Sequence, residues 1–244
     1  MSDGHTLSSR ALRLAARRRA GRGPTIVFLP GYMSDMEGGK ATALDAWAAE
    51  EGRAMLRFDY GGCGASEGAF EEQSLAGWRD DTLAAIDSVG GPVLLVGSSM
   101  GGWLMLLAAL ARPERVIGLV GIAAAPDFTS WGFSDDEKRI IQEEGRLAEL
   151  SPYGDEPYVT TRTFWQSGEA LKLLGAEIAI HCPVRLLHGL DDGDVPWRVS
   201  LDLLHRLRSP NVQATLVKGG DHRLSRPGDI ALLLAAVGQM LEPQ

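Results

Sequence analysis

The sequence predicts an α/β fold, a mostly parallel, twisted sheet with helices on both faces. Three observations lead there. Short apolar runs recur along the chain, each is followed by a loop and a helical pattern, and 244 residues is an ordinary length for one α/β domain. Runs that are apolar throughout, rather than alternating, are what a parallel sheet covered on both faces requires. Right-handed crossovers through the intervening helices then wind the sheet.

The series begins with TIVFLP, Thr25–Pro30, a β-branched run bounded by prolines. A helical pattern follows over Ala41–Glu51, then a strand over Ala54–Asp59 and a helix over Leu75–Val89. PVLLVG, Pro92–Gly97, leads into a helix over Met100–Ala111, and RVIGLVGIA, Arg115–Ala123, is the next strand. The last two strands, Pro183–Gly189 and Ala214–Gly219, precede helices over Val199–Leu207 and Ile230–Leu241. Ahead of the series, Arg10, Arg13, Arg17, Arg18, Arg19 and Arg22 cluster with only Asp3 opposing them. An Arg-rich, acid-poor segment fits an organellar transit peptide. ALRLAARR also partly alternates, which fits a strand pair with arginines on its solvent side, and the near-immediate start of the next strand favours this second reading.

One interval breaks the pattern. Between Ala125 and Cys182 no convincing strand appears. SDDEKRIIQEEGRLAEL reads as a charged helix capped by Ser134, with acidic residues in its first turn. An aromatic and polar stretch, SPYGDEPYVTTRTFWQSGEALKLL, follows. Insertions this long in compact domains are usually functional, so residues 125–182 are expected to form a small helical cap on a single domain spanning 1–244. Its aromatics are Phe128, Trp131, Phe133, Tyr153, Tyr158, Phe164 and Trp165. They either pack the cap onto the sheet or line a pocket for an acyl chain, and several are expected to face the cleft.

Composition narrows the function classes. With 45% hydrophobic and 23% charged residues, the chain reads as an ordinary globular protein. A net charge of −8 argues against a duplex-nucleic-acid binder, which normally shows a basic face. Cys63 and Cys182 lie far apart without CxxC spacing. They imply neither a zinc site nor a disulfide framework, and they point to a reducing compartment. No apolar run approaches the roughly 20 residues a membrane helix needs. A cytoplasmic location is the expectation, with the mitochondrial matrix in its place if the Arg-rich segment is a targeting signal.

The chemistry enters at LLVGSSMGGW, where Gly97-Ser98-Ser99-Met100-Gly101 fits G-x-S-x-G between a buried strand and a helix. In that context the pattern is a nucleophile elbow, a strained turn that lifts one serine hydroxyl above the sheet. The helix N-terminus beneath it favours a developing anion. Ser99 is the candidate nucleophile and Ser98 is expected to brace the turn. A serine needs a base and an orienting carboxylate, and in this arrangement they follow in the order acid, then histidine. Among the histidines after Ser99, His205 sits mid-helix and His188 ends a strand, where it packs or bonds locally. His222, in the loop after the last strand, is the candidate base. HGLDDGDVPW offers Asp191, Asp192 and Asp194 as acids, all of which could simply form a solvated turn. The pattern usual after this strand, G-x-x-D-x-x-V-P, registers Gly189, Asp192, Val195 and Pro196, which selects Asp192. Oxyanion donors are expected from the backbone N–H of Met100 and, after the flexible Gly31, of Tyr32. DYGGCGASEG, Asp59–Gly68, lacks phosphate-loop spacing and reads as a tight loop.

Taken together, FLPGYMSDM, RFDYGGCGASEG, VGSSMGGWLML, RLLHGLDDGDVPW and DHR resemble, in that order, the α/β-hydrolase superfamily along nearly the whole chain. More narrowly they resemble its branch of mitochondrial protein depalmitoylases and acyl-glucuronide esterases. The resemblance implies a serine hydrolase of acyl thioesters and acyl-linked esters, with Ser99, Asp192 and His222 as its triad and no metal or organic cofactor. Small-molecule esters and S-acylated proteins are the implied substrates. Residues 125–182 match least, and there substrate choice would be set. The rivals are a short-chain carboxylesterase and a non-catalytic binding member of the fold. A haloalkane dehalogenase is disfavoured because Ser99 stands where it has an aspartate.

Overall fold

The computed structural model describes residues 3–150 and 157–242. Its strands are β1 (Asp3–Ser9), β2 (Leu12–Arg19), β3 (Arg22–Leu29), β4 (Arg53–Phe58), β5 (Val93–Ser98), β6 (Val116–Ile122), β7 (Arg146–Glu149), β8 (Tyr158–Thr161), β9 (Val184–Gly189) and β10 (Val212–Val217). The helices are α1 (Gly39–Glu50), α2 (Leu75–Ser88), α3 (Met100–Ala111), α4 (Phe128–Trp131), α5 (Asp135–Glu144), α6 (Arg162–Ala170), α7 (Arg198–Arg206) and α8 (Pro227–Leu241). Among the described residues, one sheet of eight strands runs in the order β1-β2-β4-β3-β5-β6-β9-β10. β2 pairs antiparallel with β1 and β4, and from β4 to β10 the strands are parallel.

The continuously apolar strands are buried on both faces. In β3, Val27 and Leu29 join Leu95, Trp78 and Trp103 in one layer, covered by α2 and α3. Ile26 and Phe28 join Leu44, Val96 and Val237 in the other, covered by α1 and α8. Every residue of α3 from Met100 to Ala109 is buried, as expected of a helix that is apolar all round. β3 has β4 on one side and β5 on the other. Strand order therefore reverses there, and the crevice outside the carboxyl ends of such strands is where ligands bind in open α/β sheets.

The Arg-rich segment is sheet. Leu14 and Ala16 of β2 are buried between exposed Arg13 and Arg17. Arg10 in the hairpin turn grips the fully buried carboxylate of Asp81 at 2.8 Å, Arg13 pairs with Glu67 at 2.6 Å, and Arg19 with Asp45 at 2.9 Å. A strand paired with β4 is part of the fold, as the strand-pair reading of these arginines expects. The loop after β4 is tight, as expected. It closes around Asp59, whose carboxylate accepts from Ala65 N–H at 2.9 Å and from Met36 N–H at 2.7 Å. That second bond braces the loop that follows β3.

The interval between β6 and β9 departs from expectation in one respect. Ser134 caps α5 in a reciprocal capping box with Glu137, and α4 and α6 are also helical. The cap is not purely helical, however, because β7 and β8 pair antiparallel from Arg146↔Thr161 to Glu149↔Tyr158. Each strand is only four residues long, and β7 is exposed along most of its length. It therefore lacks the buried face that would produce an apolar alternation.

Candidate active site

Four loops at the carboxyl ends of β3, β5, β9 and β10 meet over the sheet. β5 hands over to α3 at Ser99, whose backbone takes φ 54° and ψ −119°, a region that L residues populate only when the surroundings impose it. The flanking glycines explain how this is imposed. A Cβ on Gly101 would lie 2.1 Å from the Leu29 carbonyl oxygen, and one on Gly97 would lie 2.3 Å from that of Gly101. The elbow is thus wedged between strand and helix. Ser99 N–H donates to Ile122 at 2.9 Å, and Ala125 N–H returns a bond to Ser99 at 3.0 Å. Ser98 braces the turn through its backbone, paired with Ile122 across β6.

Asp192 sits in the loop after β9 with its side chain fully enclosed. Oδ1 accepts from the N–H groups of Asp194 at 2.9 Å and Val195 at 2.8 Å. Oδ2 lies 2.9 Å from His222 Nδ1 and 3.2 Å from His188 Nε2. Burial alone would raise this carboxyl, but the imidazole and backbone N–H groups around it outweigh burial and hold it far below the ordinary carboxylate range. It is therefore a fixed anion. Because Nδ1 of His222 faces that anion, the proton belongs on Nδ1, which leaves Nε2 as the basic nitrogen.

His222 and Ser99 line one cavity of about 350 Å³. No hydrogen bond joins Ser99 Oγ to His222 among the described residues. Such bonds are commonly loose before substrate binds and tighten in the reacting complex. The proposed oxyanion donors are uncommitted: among the described residues neither Tyr32 N–H nor Met100 N–H donates to another protein group.

The remaining sequence candidates separate cleanly. His205 is exposed on the last turn of α7. Asp191 is exposed and offers its N–H to Gly220 at 2.9 Å. Asp194 is exposed on the cavity wall. His188 bonds locally, the second of the two roles expected of it. It is fully buried, its Nδ1 lies 2.7 Å from Ser200 Oγ and its Nε2 lies 2.9 Å from the Val195 carbonyl. With a carbonyl and a carboxylate facing it, Nε2 must carry the proton, and Nδ1 accepts from the Ser200 hydroxyl. No spacing in HGLDD marks this partner, because its contact with Asp192 depends on how the loop after β9 folds back.

Of the cap aromatics, Phe128, Trp131, Phe133 and Tyr158 line the cavity. Phe164 packs into the core instead. Trp165 is tied to the Thr129 carbonyl at 2.9 Å, and Tyr153 lies outside the described residues. Tyr32 lines the cavity too, and its ring is the hub of an aromatic cluster with Phe70, Trp78, Phe128, Tyr158 and Phe164 at centroid distances of 4.8 to 6.0 Å.

Two other chemistries fit poorly. Asp192, Asp194 and His222 could each point one atom at a cation, all within 4.8 Å of one another. Both Asp192 oxygens and His222 Nδ1 are already engaged, though, so few lone pairs remain for a metal. Burial pushes the Cys63 thiol up to about 12 and that of Cys182 to about 11, far from the thiolate a cysteine nucleophile needs.

Comparison with known proteins agrees with this fold. A family model described as "Alpha/beta hydrolase family" matches residues 26–236. Rat and human proteins, each named "Palmitoyl-protein thioesterase ABHD10, mitochondrial", are 42% and 41% identical over 234 residues, covering 94% of this chain and 79% and 76% of theirs. Among solved structures, alpha/beta hydrolase domain-containing protein 10 from mouse matches at 40% identity with a TM-score of 0.91, covering 98% of each chain. A putative hydrolase from Agrobacterium vitis S4 matches at 40% identity with a TM-score of 0.92, covering 99% of each chain.

Proposed function

Because the chain belongs to the alpha/beta hydrolase family, we propose that it is a serine hydrolase of acyl thioesters and carboxylic esters acting through Ser99, Asp192 and His222. The observation that carries this reading is the 2.9 Å contact of His222 Nδ1 with the enclosed Asp192 carboxylate, beside a serine raised on a nucleophile elbow in the same cavity. His222 Nε2 takes the Ser99 proton as Oγ attacks the acyl carbonyl. The tetrahedral oxyanion is held by the N–H groups of Tyr32 and Met100, each such donor worth about 3 kcal/mol in the transition state. Protonated His222 then returns its proton to the departing thiolate or alkoxide. Water, deprotonated by the same nitrogen, cleaves the acyl-enzyme and restores Ser99.

The thioester branch follows the curated relatives, whose printed name is palmitoyl-protein thioesterase. S-acylated protein and small acyl esters are accordingly the proposed substrates. The same name supports a mitochondrial setting over the cytoplasmic expectation, with no help from the arginines of β1 and β2. We take residues 1–244 as one catalytic domain, and the segment from Ala125 to Cys182 as the cap that selects the acyl group.

Phe128, Trp131 and Phe133 make one wall of the cavity apolar. Each buried methylene contributes about 0.8 kcal/mol, so lengthening an acyl chain from two carbons to eight offers about 5 kcal/mol if fully realised. Across p-nitrophenyl esters and matched S-acyl peptides, kcat/KM is expected to rise at least about tenfold over that range, a small part of the available transfer energy. A flat or falling series would remove the acyl pocket and leave a short-chain esterase.

A further inference from the structure

Tyr32 occupies a turn whose geometry is supplied from outside the loop. Ser34 N–H donates to the Gly31 carbonyl at 3.2 Å, so residues 31–34 form a β-turn with Tyr32 and Met33 at its centre. Met33 has φ 52°, a conformation for which such turns normally use glycine. The two families of turn differ by a flip of the central peptide, the one that carries the Tyr32 carbonyl. An L residue at Met33 disfavours the orientation observed.

The cap holds that peptide in place. The Tyr158 hydroxyl donates to the Tyr32 carbonyl at 3.2 Å, and the Tyr32 hydroxyl donates to the Val159 carbonyl at 2.5 Å. Two tyrosines, 126 residues apart in the chain, thus exchange hydroxyls for backbone carbonyls between the turn and β8. Tyr32 is 7% exposed, and its ring is packed from the cap side by Phe128, Tyr158 and Phe164. The cap therefore holds Tyr32 by its ring and by its carbonyl, and the Tyr32 N–H, which lies on the preceding Gly31–Tyr32 peptide, follows the placement of the turn as a whole.

We propose that Tyr158 is a positioning residue for the oxyanion hole: its hydroxyl ties the Gly31–Ser34 turn to β8 through the Tyr32 carbonyl, so that the turn, and with it the Tyr32 N–H, keeps its place beside Ser99 only while β8 of the cap is seated. This rests on the hydrolase reading above, in which Tyr32 is an oxyanion donor. It makes the acyl-selecting cap a part of the catalytic geometry and not only a wall of the pocket.

Tyr158→Phe removes the clamp and keeps the ring. The expected result is a fall in kcat of about tenfold, the scale of one hydrogen bond, with KM within about twofold. Affinity for an octyl trifluoromethyl ketone, whose hemiketal places an oxyanion in the hole, falls by the same factor as kcat/KM. Affinity for octanoate, a ground-state ligand, does not move. Met33→Gly in the Tyr158→Phe background is expected to recover most of the loss, because glycine holds the turn without the clamp. The clamp is overturned if Tyr158→Phe leaves kcat and ketone affinity within about twofold of wild type, or if adding Met33→Gly recovers nothing. A wild-type protein that hydrolysed no ester or thioester would instead overturn the hydrolase reading, and this proposal with it.

Discussion

Ser99→Ala is expected to abolish both hydrolysis and labelling by a fluorophosphonate probe while the protein stays folded. Losing the nucleophile of a serine triad typically costs on the order of 10⁶ in kcat. The variant folds because Ser99 Oγ makes no hydrogen bond among the described residues, and alanine accepts the same backbone strain as serine. Ser98→Ala is the matched control. Its hydroxyl makes no hydrogen bond among the described residues either, and its position in the ladder opposite Ile122 needs only backbone, so labelling is retained. Lost labelling in Ser98→Ala with labelling kept in Ser99→Ala would shift the elbow by one residue.

Asp192→Asn is expected to lower kcat by about 10⁴, by analogy with loss of the orienting carboxylate in serine proteases. The local hydrogen bonds say why. One oxygen must still accept from Asp194 and Val195, which leaves the amide NH₂ facing His222 and the Nε2–H of His188. Donor then meets donor at His188, and His222 is driven to the tautomer with its proton on Nε2, unable to accept from Ser99. Asp191→Asn and Asp194→Asn should each cost less than about tenfold, because the enclosed Asp192 carboxylate already holds His222 Nδ1 at 2.9 Å. A large loss at Asp194 with Asp192 spared would move the triad by two residues. Since the Asp192 carboxyl titrates below the ordinary range, it stays ionised above about pH 4. The stability that its lowered pKa contributes is full there and is lost as pH falls through the folded-state value.

What could be read from sequence was whatever is local. The elbow is legible because Gly97 and Gly101 are forced by contacts within a few residues or with the neighbouring strand. The sheet is legible because strands buried on two faces must be apolar throughout. Asp192 and His222 follow from being the loops after β9 and β10. The β7–β8 pair was illegible because it packs its few buried residues against tertiary partners and shows no period of its own. The targeting alternative for the arginines persisted for a related reason: partial alternation does not reveal that Ala16 will sit opposite Phe58. His188 could be placed at the end of a strand but not beside the carboxylate, since that contact depends on how the loop folds back. The tyrosine exchange between Tyr32 and Tyr158 joins distant segments and leaves no trace in spacing.

Seven non-glycine residues among those described have positive φ, and five of them, Met33, Ser99, Ala123, Asp127 and Leu224, lie beyond the carboxyl ends of sheet strands or at the root of the cap. Unfavourable backbone is therefore concentrated at the working end of the molecule, at about 1–3 kcal/mol for each such residue. An engineer seeking heat resistance would find the richest gains there and could use few of them. Ser99→Gly should melt about 2–4 °C higher than wild type for each kcal/mol of strain released in a chain of this size, and it would be dead. Thermal scans of Ser99→Gly beside Ser99→Ala separate relief of strain from loss of the hydroxyl. Equal melting temperatures would mean that the elbow stores nothing. A difference would measure how much thermal tolerance natural selection has left unclaimed in order to keep one hydroxyl raised.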